Sequence, residues 1–261
     1  MSANRLLLQT IEQQLGDFVL NSPENFVADL GMMRIFEPPL VAVASAQDAF
    51  WERLKEFEVV GPQHLSPAEW LSGAQSVISC FLPFTESVRS ANRLQGWPAT
   101  EWLYGRYEGE EFNRSMRRFL VETVQKAGGR AVAPVLDERF TVVNLRSNWS
   151  ERHAAFIAGL GTFSLSRSLI TSRGSAGRLA SLVTDLDFEP TPRPYAGVEE
   201  YCIQCGACIL RCPPQAIDKN GKDNAVCSNF LQETLLRFKP RYGCGKCQTA
   251  VPCEARRPLI P

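Results

Sequence analysis

Eight of the nine cysteines of this 261-residue chain lie between Cys202 and Cys253, and only Cys80 stands apart. Eight thiols crowded into so short a stretch cannot all be core residues, and eight is the number that two four-thiolate sites require. The run Cys202-x2-Cys205-x2-Cys208-x3-Cys212-Pro213 has the bacterial ferredoxin spacing, in which three thiolates converge on one cubane and the fourth is carried on to the other. Gly206 and Pro213 suit a tight loop that brings backbone N–H groups close to sulfur. A structural zinc site takes cysteines in pairs rather than in such a run of four.

The second half of the array is looser: Cys227, then Cys244-x2-Cys247, then Cys253. By the crossed ligation of two-cluster ferredoxins, Cys202, Cys205, Cys208 and Cys253 are expected to hold one 4Fe–4S cluster. Cys212, Cys227, Cys244 and Cys247 then hold the other. Residues 201–261 carry nine Lys/Arg against four Asp/Glu, an excess of five positive charges. Each oxidised cubane with its thiolates carries about −2 by oxidation-state counting, so two clusters nearly cancel that excess. Arg237, Lys239, Arg241, Arg256 and Arg257 are therefore read as cluster compensation rather than as a nucleic-acid patch.

Across the whole chain Lys+Arg and Asp+Glu both number 28, and the balance speaks against a nucleic-acid partner. No run approaches the roughly 18–20 apolar residues of a membrane helix. The N-terminal Leu6-Leu7-Leu8 is interrupted too soon for a signal peptide, so a cytoplasmic protein is expected.

Before the cysteines, helix and strand patterns alternate. Helical spacing covers Arg5 to Leu15, ending near Gly16, then Asp48 to Phe57 and Glu108 to Ala127, the last with a stripe of Phe112, Met116, Phe119, Leu120 and Val124. Ser76 to Leu82 is an apolar run typical of a buried strand, with Cys80 as a small hydrophobe. Arg130 to Leu136 is a further strand, and Ser168–Thr171 and Arg178–Thr184 form two more around a turn at Arg173-Gly174. Asn148-Trp-Ser-Glu151 reads as a capping box opening a helix to Gly159, with Trp149 as a packing anchor. This is an α/β (α+β) pattern. The prolines of Asp187 to Pro194 mark a stiff linker, placing a cofactor and substrate domain at 1–195 and a ferredoxin-like cluster domain at 196–261.

With Cys202 to Pro213, the isolated Cys227, Tyr242-Gly-Cys-Gly-Lys-Cys-Gln248 and Ala158-Gly-Leu-Gly161, the chain resembles the epoxyqueuosine reductase family, relatives of the reductive dehalogenases. The likeness covers about residues 75–255, including Tyr107 to Phe119. It implies a nitroreductase-like α/β domain binding base-off cobalamin, with the clusters delivering electrons to cobalt. Gly159 and Gly161 would then let backbone approach the corrin, with Thr162, Phe163 and Ser164 along the same edge. Flavin in the same pocket is an alternative, as is a non-catalytic electron carrier. A flavodoxin- or ferredoxin-type donor and a small-molecule substrate are the partners expected.

Three departures qualify the likeness. Where the family carries an aspartate proposed as proton donor, Val143 to Asn148 offer no carboxylic acid. Val251 stands where the family has its last Cys-Pro, and Cys253 takes that role. The chain stops at Pro261, without the extension of many tRNA-acting members. Short relatives share Asn-Trp-Ser-Glu-Arg-His and Cys-Gln-Thr-x-x-Pro-Cys.

His153 is a candidate cofactor ligand or proton donor, the competing reading being a histidine hydrogen-bonded at a domain edge. Arg146 and Arg152, or Arg178, are candidates for phosphate or carboxylate groups of a cofactor, or else surface-turn charges. His64 is expected at the surface. No GxGxxG, P-loop or HExxH occurs.

Overall fold

The computed structural model describes residues 3–259. Its long elements, in chain order, are α1 (Ala3–Asn21), β1 (Leu40–Ser45), β2 (Ser76–Pro83), α2 (Thr100–Lys126) and β3 (Ala131–Val132). There follow the two short strands β4 (Val142–Val143) and β5 (Arg146–Ser147), α3 (Glu151–Ile157), β6 (Gly161–Phe163), β7 (Leu169–Thr171) and β8 (Gly177–Thr184). The cysteine-rich segment adds α4 (Ala207–Leu210) and α5 (Asn224–Phe238).

Strands β1, β2, β8 and β3 form one antiparallel sheet in that order. All eight residues of β2 are buried, which explains its unbroken apolar run: side chains alternate between faces, and both faces are covered. Ile78, Cys80 and Leu82 meet α1 and α2 through Leu15, Val19, Phe112, Met116 and Leu120. Val77 and Phe81 point the other way, toward α3, the β6–β7 hairpin and a group of tryptophans. The result is a mixed α/β fold with the sheet between two apolar layers.

Several local expectations shift. Helix α1 runs past Gly16 because Leu15 and Val19, both fully buried, continue its apolar face; packing outweighs a glycine penalty of about 1 kcal/mol. The expected helix over 48–57 shrinks to Phe50–Arg53. The strand over 130–136 is only Ala131–Val132, followed by a 3-10 turn at Pro134–Leu136. The strands flanking Arg173-Gly174 do not pair with each other: β7 pairs with β6, and β8 with β2 and β3.

The helix start also lies two residues later than the capping-box pattern from Asn148 implies. Asn148 is spent on the preceding segment, accepting from Thr141 N (3.0 Å) and donating to Arg139 O (2.8 Å). Ser150 is the N-cap of α3, and Glu151 is released for another use. The proline-rich 187–194 segment lies along the sheet rather than standing free. Phe188 is buried, Phe188 N donates to Ser76 Oγ, and Thr191 exchanges two bonds with Val43.

Candidate functional site

The cysteine segment is bolted to the sheet domain by backbone and buried polar bonds. Ser175 N donates to Cys253 O (2.8 Å), Gln248 Nε2 to Ser175 O (2.6 Å), and Asn92 Nδ2 to Cys244 O (3.0 Å). Lys246, 1% exposed, places its ammonium among Asn92 O, Asn92 Oδ1 and Leu94 O at 2.8–3.2 Å. Arg93 grips the buried Glu254, immediately after Cys253. Helix α5 is capped by Asp223, whose carboxylate accepts from Ala225 N and Val226 N, a bond worth about 1 kcal/mol.

These anchors bring the eight cysteines into two groups of four. Cys202, Cys205, Cys208 and Cys253 line one narrow cavity under Ile170, Val251 and Pro252. Burial pushes the Cys253 thiol up to about 11, and Cys202 and Cys205 add to it. In the second group burial pushes Cys244 up to about 12, reinforced by Cys247, Cys227 and Cys212. Burial likewise raises Cys247, with Cys227 and Cys212 contributing. Cys208 is raised to about 12 by burial and then by Cys247, so the two groups adjoin. Left-handed residues Gln204 and Ala250 curl the chain within these loops. N–H groups reach sulfur, as Ala216 N does toward Cys212 Sγ (3.2 Å). Among the described residues no three His, Cys, Asp or Glu side chains are placed to hold a single metal ion.

Beside the second group lie two cavities that share Ser150 and Arg152 as a common wall. The first, about 460 Å³, is lined by His153, Phe156, Phe163, Phe50, Lys222 and Asn224 among others. His153 Nδ1 is 2.7 Å from Ser150 Oγ, and its ring packs on Phe163. Burial, with His64 and Arg152 nearby, pushes its pKa down to about 3, so the imidazole is neutral.

The second cavity, about 600 Å³, lies between β8, α2, the β4–β5 hairpin and Gln248 of the cysteine segment. Its charged residues are Arg106, Glu110, Arg117, Glu151, Arg152 and Arg178. Glu110 pairs with Arg117 (3.1 Å) and Arg178. Burial would raise its carboxyl, but the two guanidinium groups outweigh burial and hold it at about 2. Glu151 is placed differently. Its Oε2 accepts from Ser181 Oγ (2.6 Å), which accepts from Trp149 Nε1 (2.9 Å), while Arg117 reaches Oε1 at 3.3 Å. Burial nevertheless holds its carboxyl above the ordinary range.

The remaining candidates separate. Thr162 is fully buried and accepts from Tyr201 N; Ser164 bonds Ser166 and Ser168 under the first cysteine group. The two glycines are occupied by the chain itself. A Cβ on Gly161 would strike the Ile170 carbonyl across the β6–β7 hairpin, and one on Gly159 would meet Pro192 O at 3.0 Å. Their missing side chains thus serve the fold's own close approaches. Arg146 braces Phe57 O and Val60 O, away from both cavities. His64 is not at the surface: it is 0% exposed, stacked on Trp149, and burial pushes its pKa down to about 4.

Arg106, Glu110 and Arg117 were not singled out from the sequence. Their signal is a polar stripe on α2, at steps of four and seven residues, beside the apolar one.

No protein-family model matches the chain. It is 27% identical over 209 residues to an epoxyqueuosine reductase of Leadbetterella byssophila, covering 73% of this chain and 62% of that one. A solved epoxyqueuosine reductase carrying an epoxyqueuosine-modified tRNA-Tyr stem loop superposes with a TM-score of 0.55 at 18% identity, covering 97% of this chain and 67% of that one. A reductive dehalogenase, described with a B12-dependent mechanism, gives 0.55 at 16% identity, over 84% of this chain and 30% of that one. The chain spans between about a quarter and just under two thirds of the length of the first curated relatives it matches. In sequence over most of its length the chain is similar to epoxyqueuosine reductases, and its fold is that shared by epoxyqueuosine reductases and reductive dehalogenases.

Proposed function

We propose that this protein is an iron–sulfur reductase: a ferredoxin-like segment, residues 196–261, holds two 4Fe–4S clusters, and a nitroreductase-like body, residues 1–195, binds a corrinoid-type cofactor and a small substrate. The observation that carries the reading is the sorting of eight cysteines into two fours, the second beside the charged cavity through Arg152 and Gln248. The donor set fits clusters: each four is all sulfur, partly shielded and served by N–H donors, the environment that holds cubanes and sets their potential. The cavity of about 460 Å³ offers the apolar walls of Phe50, Phe156 and Phe163 to an organic cofactor and meets the charged cavity, where the substrate would sit, at Ser150 and Arg152. When bound, clusters and corrinoid supply electrons to the substrate.

The chain's own residues supply the proton and the confinement. Of the two carboxyl groups lining the charged cavity, Glu151 is the one whose pKa is raised on balance, by burial, so it can hold a proton to deliver. Trp149 and Ser181 orient Oε2, leaving the carboxyl aimed by a fixed chain of bonds. Asp137, a further carboxyl near the hairpin, is bound to Arg139, which holds it below the usual range. Trp149, Phe81 and Leu169 close the apolar side of the cavity against water.

The substrate is a small molecule rather than tRNA. The support is the zero net formal charge, against the many Lys and Arg contacts that tRNA binding demands, and a cavity of about 600 Å³, within the range for small ligands. The test is the anaerobically reconstituted protein: about eight irons per chain, and a cob(II)alamin EPR signal shifted to a base-off form on binding. Four irons, a stoichiometric zinc, or an unshifted signal at micromolar corrinoid would defeat the reading.

A further inference from the structure

The charged cavity contains four arginines and two glutamates. Glu110 serves Arg117 and Arg178, and Glu151 serves Arg117 alone. Among the described residues Arg106 and Arg152 have no carboxylate partner. Arg106 donates to Tyr242 Oη (2.9 Å) and lies over that ring. Arg178 stands within electrostatic reach of both; Arg106 and Arg178 are half-buried, and Arg152 is exposed at the rim of the cavity. Three guanidinium groups thus converge with a single carboxylate, Glu110, on Arg178. Three guanidinium groups against one carboxylate leave this half-buried end of the cavity net positive, a state that favours something negative joining it. Guanidinium groups in a fork match a planar carboxylate or a phosphate. Opposite this polar end the wall is apolar, formed by Phe81, Phe140, Val142 and Leu179.

Building on the reductase reading of this cavity, we propose that its substrate is a small organic anion whose negative head is held by Arg106, Arg152 and Arg178 and whose apolar body lies against Phe81, Phe140 and Leu179. Arg146, the other arginine near the hairpin, takes no part, because it is committed to backbone carbonyls. The head group is a carboxylate or phosphate, and the same chemistry is present in the phosphodiester of a corrinoid, so the experiment separates the two sources.

The probe is benzoate, with benzamide as its neutral counterpart, titrated calorimetrically into the cluster-containing protein before and after cobalamin loading. Benzoate is expected to bind and benzamide to bind at least roughly tenfold more weakly, the loss of one charge-assisted contact. Arg106→Gln and Arg152→Gln should each weaken benzoate by roughly 10- to 100-fold, with the melting temperature and iron content checked so that a misfolded variant is recognised. Arg146→Gln should leave the affinity unchanged. Benzoate binding retained after loading supports the proposal. Equal binding of benzoate and benzamide overturns it, and so does displacement of benzoate by cobalamin, which assigns the arginines to the cofactor. Iron content and corrinoid binding on the same sample report the reductase reading separately: benzoate that fails to bind to a protein holding both cofactors defeats only the substrate class.

Discussion

Glu151 and Glu110 lie in one cavity yet are tuned in opposite directions, and the difference is a count of neighbours. Glu110 has two guanidinium partners and stays ionised; Glu151 has one, and burial lifts its carboxyl above the ordinary range. Glu151→Gln is expected to lower substrate turnover by roughly 10²–10⁴-fold, the usual worth of a general acid, while benzoate affinity stays within a few-fold; a stopped-flow assay with cluster-reduced protein reads both. Glu110 contributes to stability with a defined pH window. Its folded pKa is depressed from 4.5 to about 2, so the contribution is full above about pH 4.5 and is lost as pH falls toward 2. The groups facing it are Arg178 from β8, Arg106 and Arg117 from its own helix, and Glu151 from α3. The stabilisation is roughly 3 kcal/mol. Glu110→Gln should flatten the acid limb of the unfolding free energy measured by urea titration between pH 5 and 3.

At the level of elements, the β6–β7 hairpin supports both chemical regions: Ile170 covers the first cysteine group and Leu169 lines the charged cavity. Gly161 makes that hairpin possible, because any side chain would meet the Ile170 carbonyl. Gly161→Ala is therefore expected to destabilise the protein by roughly 2 kcal/mol or more and to lower iron retention after anaerobic desalting. Gly16→Ala on α1 is the contrasting case, since open space surrounds it within 4 Å. It should stabilise by about 0.5–1 kcal/mol. Equal effects of the two substitutions in thermal unfolding would show that the hairpin's close approach does not matter.

For the whole molecule, the cysteine segment and the sheet domain are joined too closely to act separately. Cys253 bonds to Ser175 through its backbone and packs against the apolar layer beneath the sheet. Cys253→Ser keeps the backbone bond and removes one thiolate. The variant should retain about four irons per chain, with the EPR signal of one reduced cluster gone and the other intact. Incubation of reduced, corrinoid-loaded protein with epoxyqueuosine-containing tRNA, followed by nucleoside digestion, should give no appreciable queuosine. Efficient turnover would contradict the small-substrate reading.

The grouping of the thiols was legible because Cys202 to Cys212 follow short spacings and the later cysteines follow the crossed pattern of two-cluster ferredoxins. The buried strand at Ser76–Pro83 and the long helix ending at Lys126 were legible for a similar local reason, an apolar pattern of matching period. The cavity was not. Arg106, Glu110 and Arg117 come from one helix, Glu151 from another and Arg178 from a strand, and no spacing records that they meet. His64 looked like a surface residue because its neighbours are polar, yet the Trp149 ring lies on it. Glu151 fits a capping-box pattern in sequence, yet Asn148 bonds backward to Thr141 and Arg139. Local spacing wrote the grouping of the thiols into the sequence; charges that act across space were assigned only when the sheet, two helices and the cysteine segment closed around one cavity.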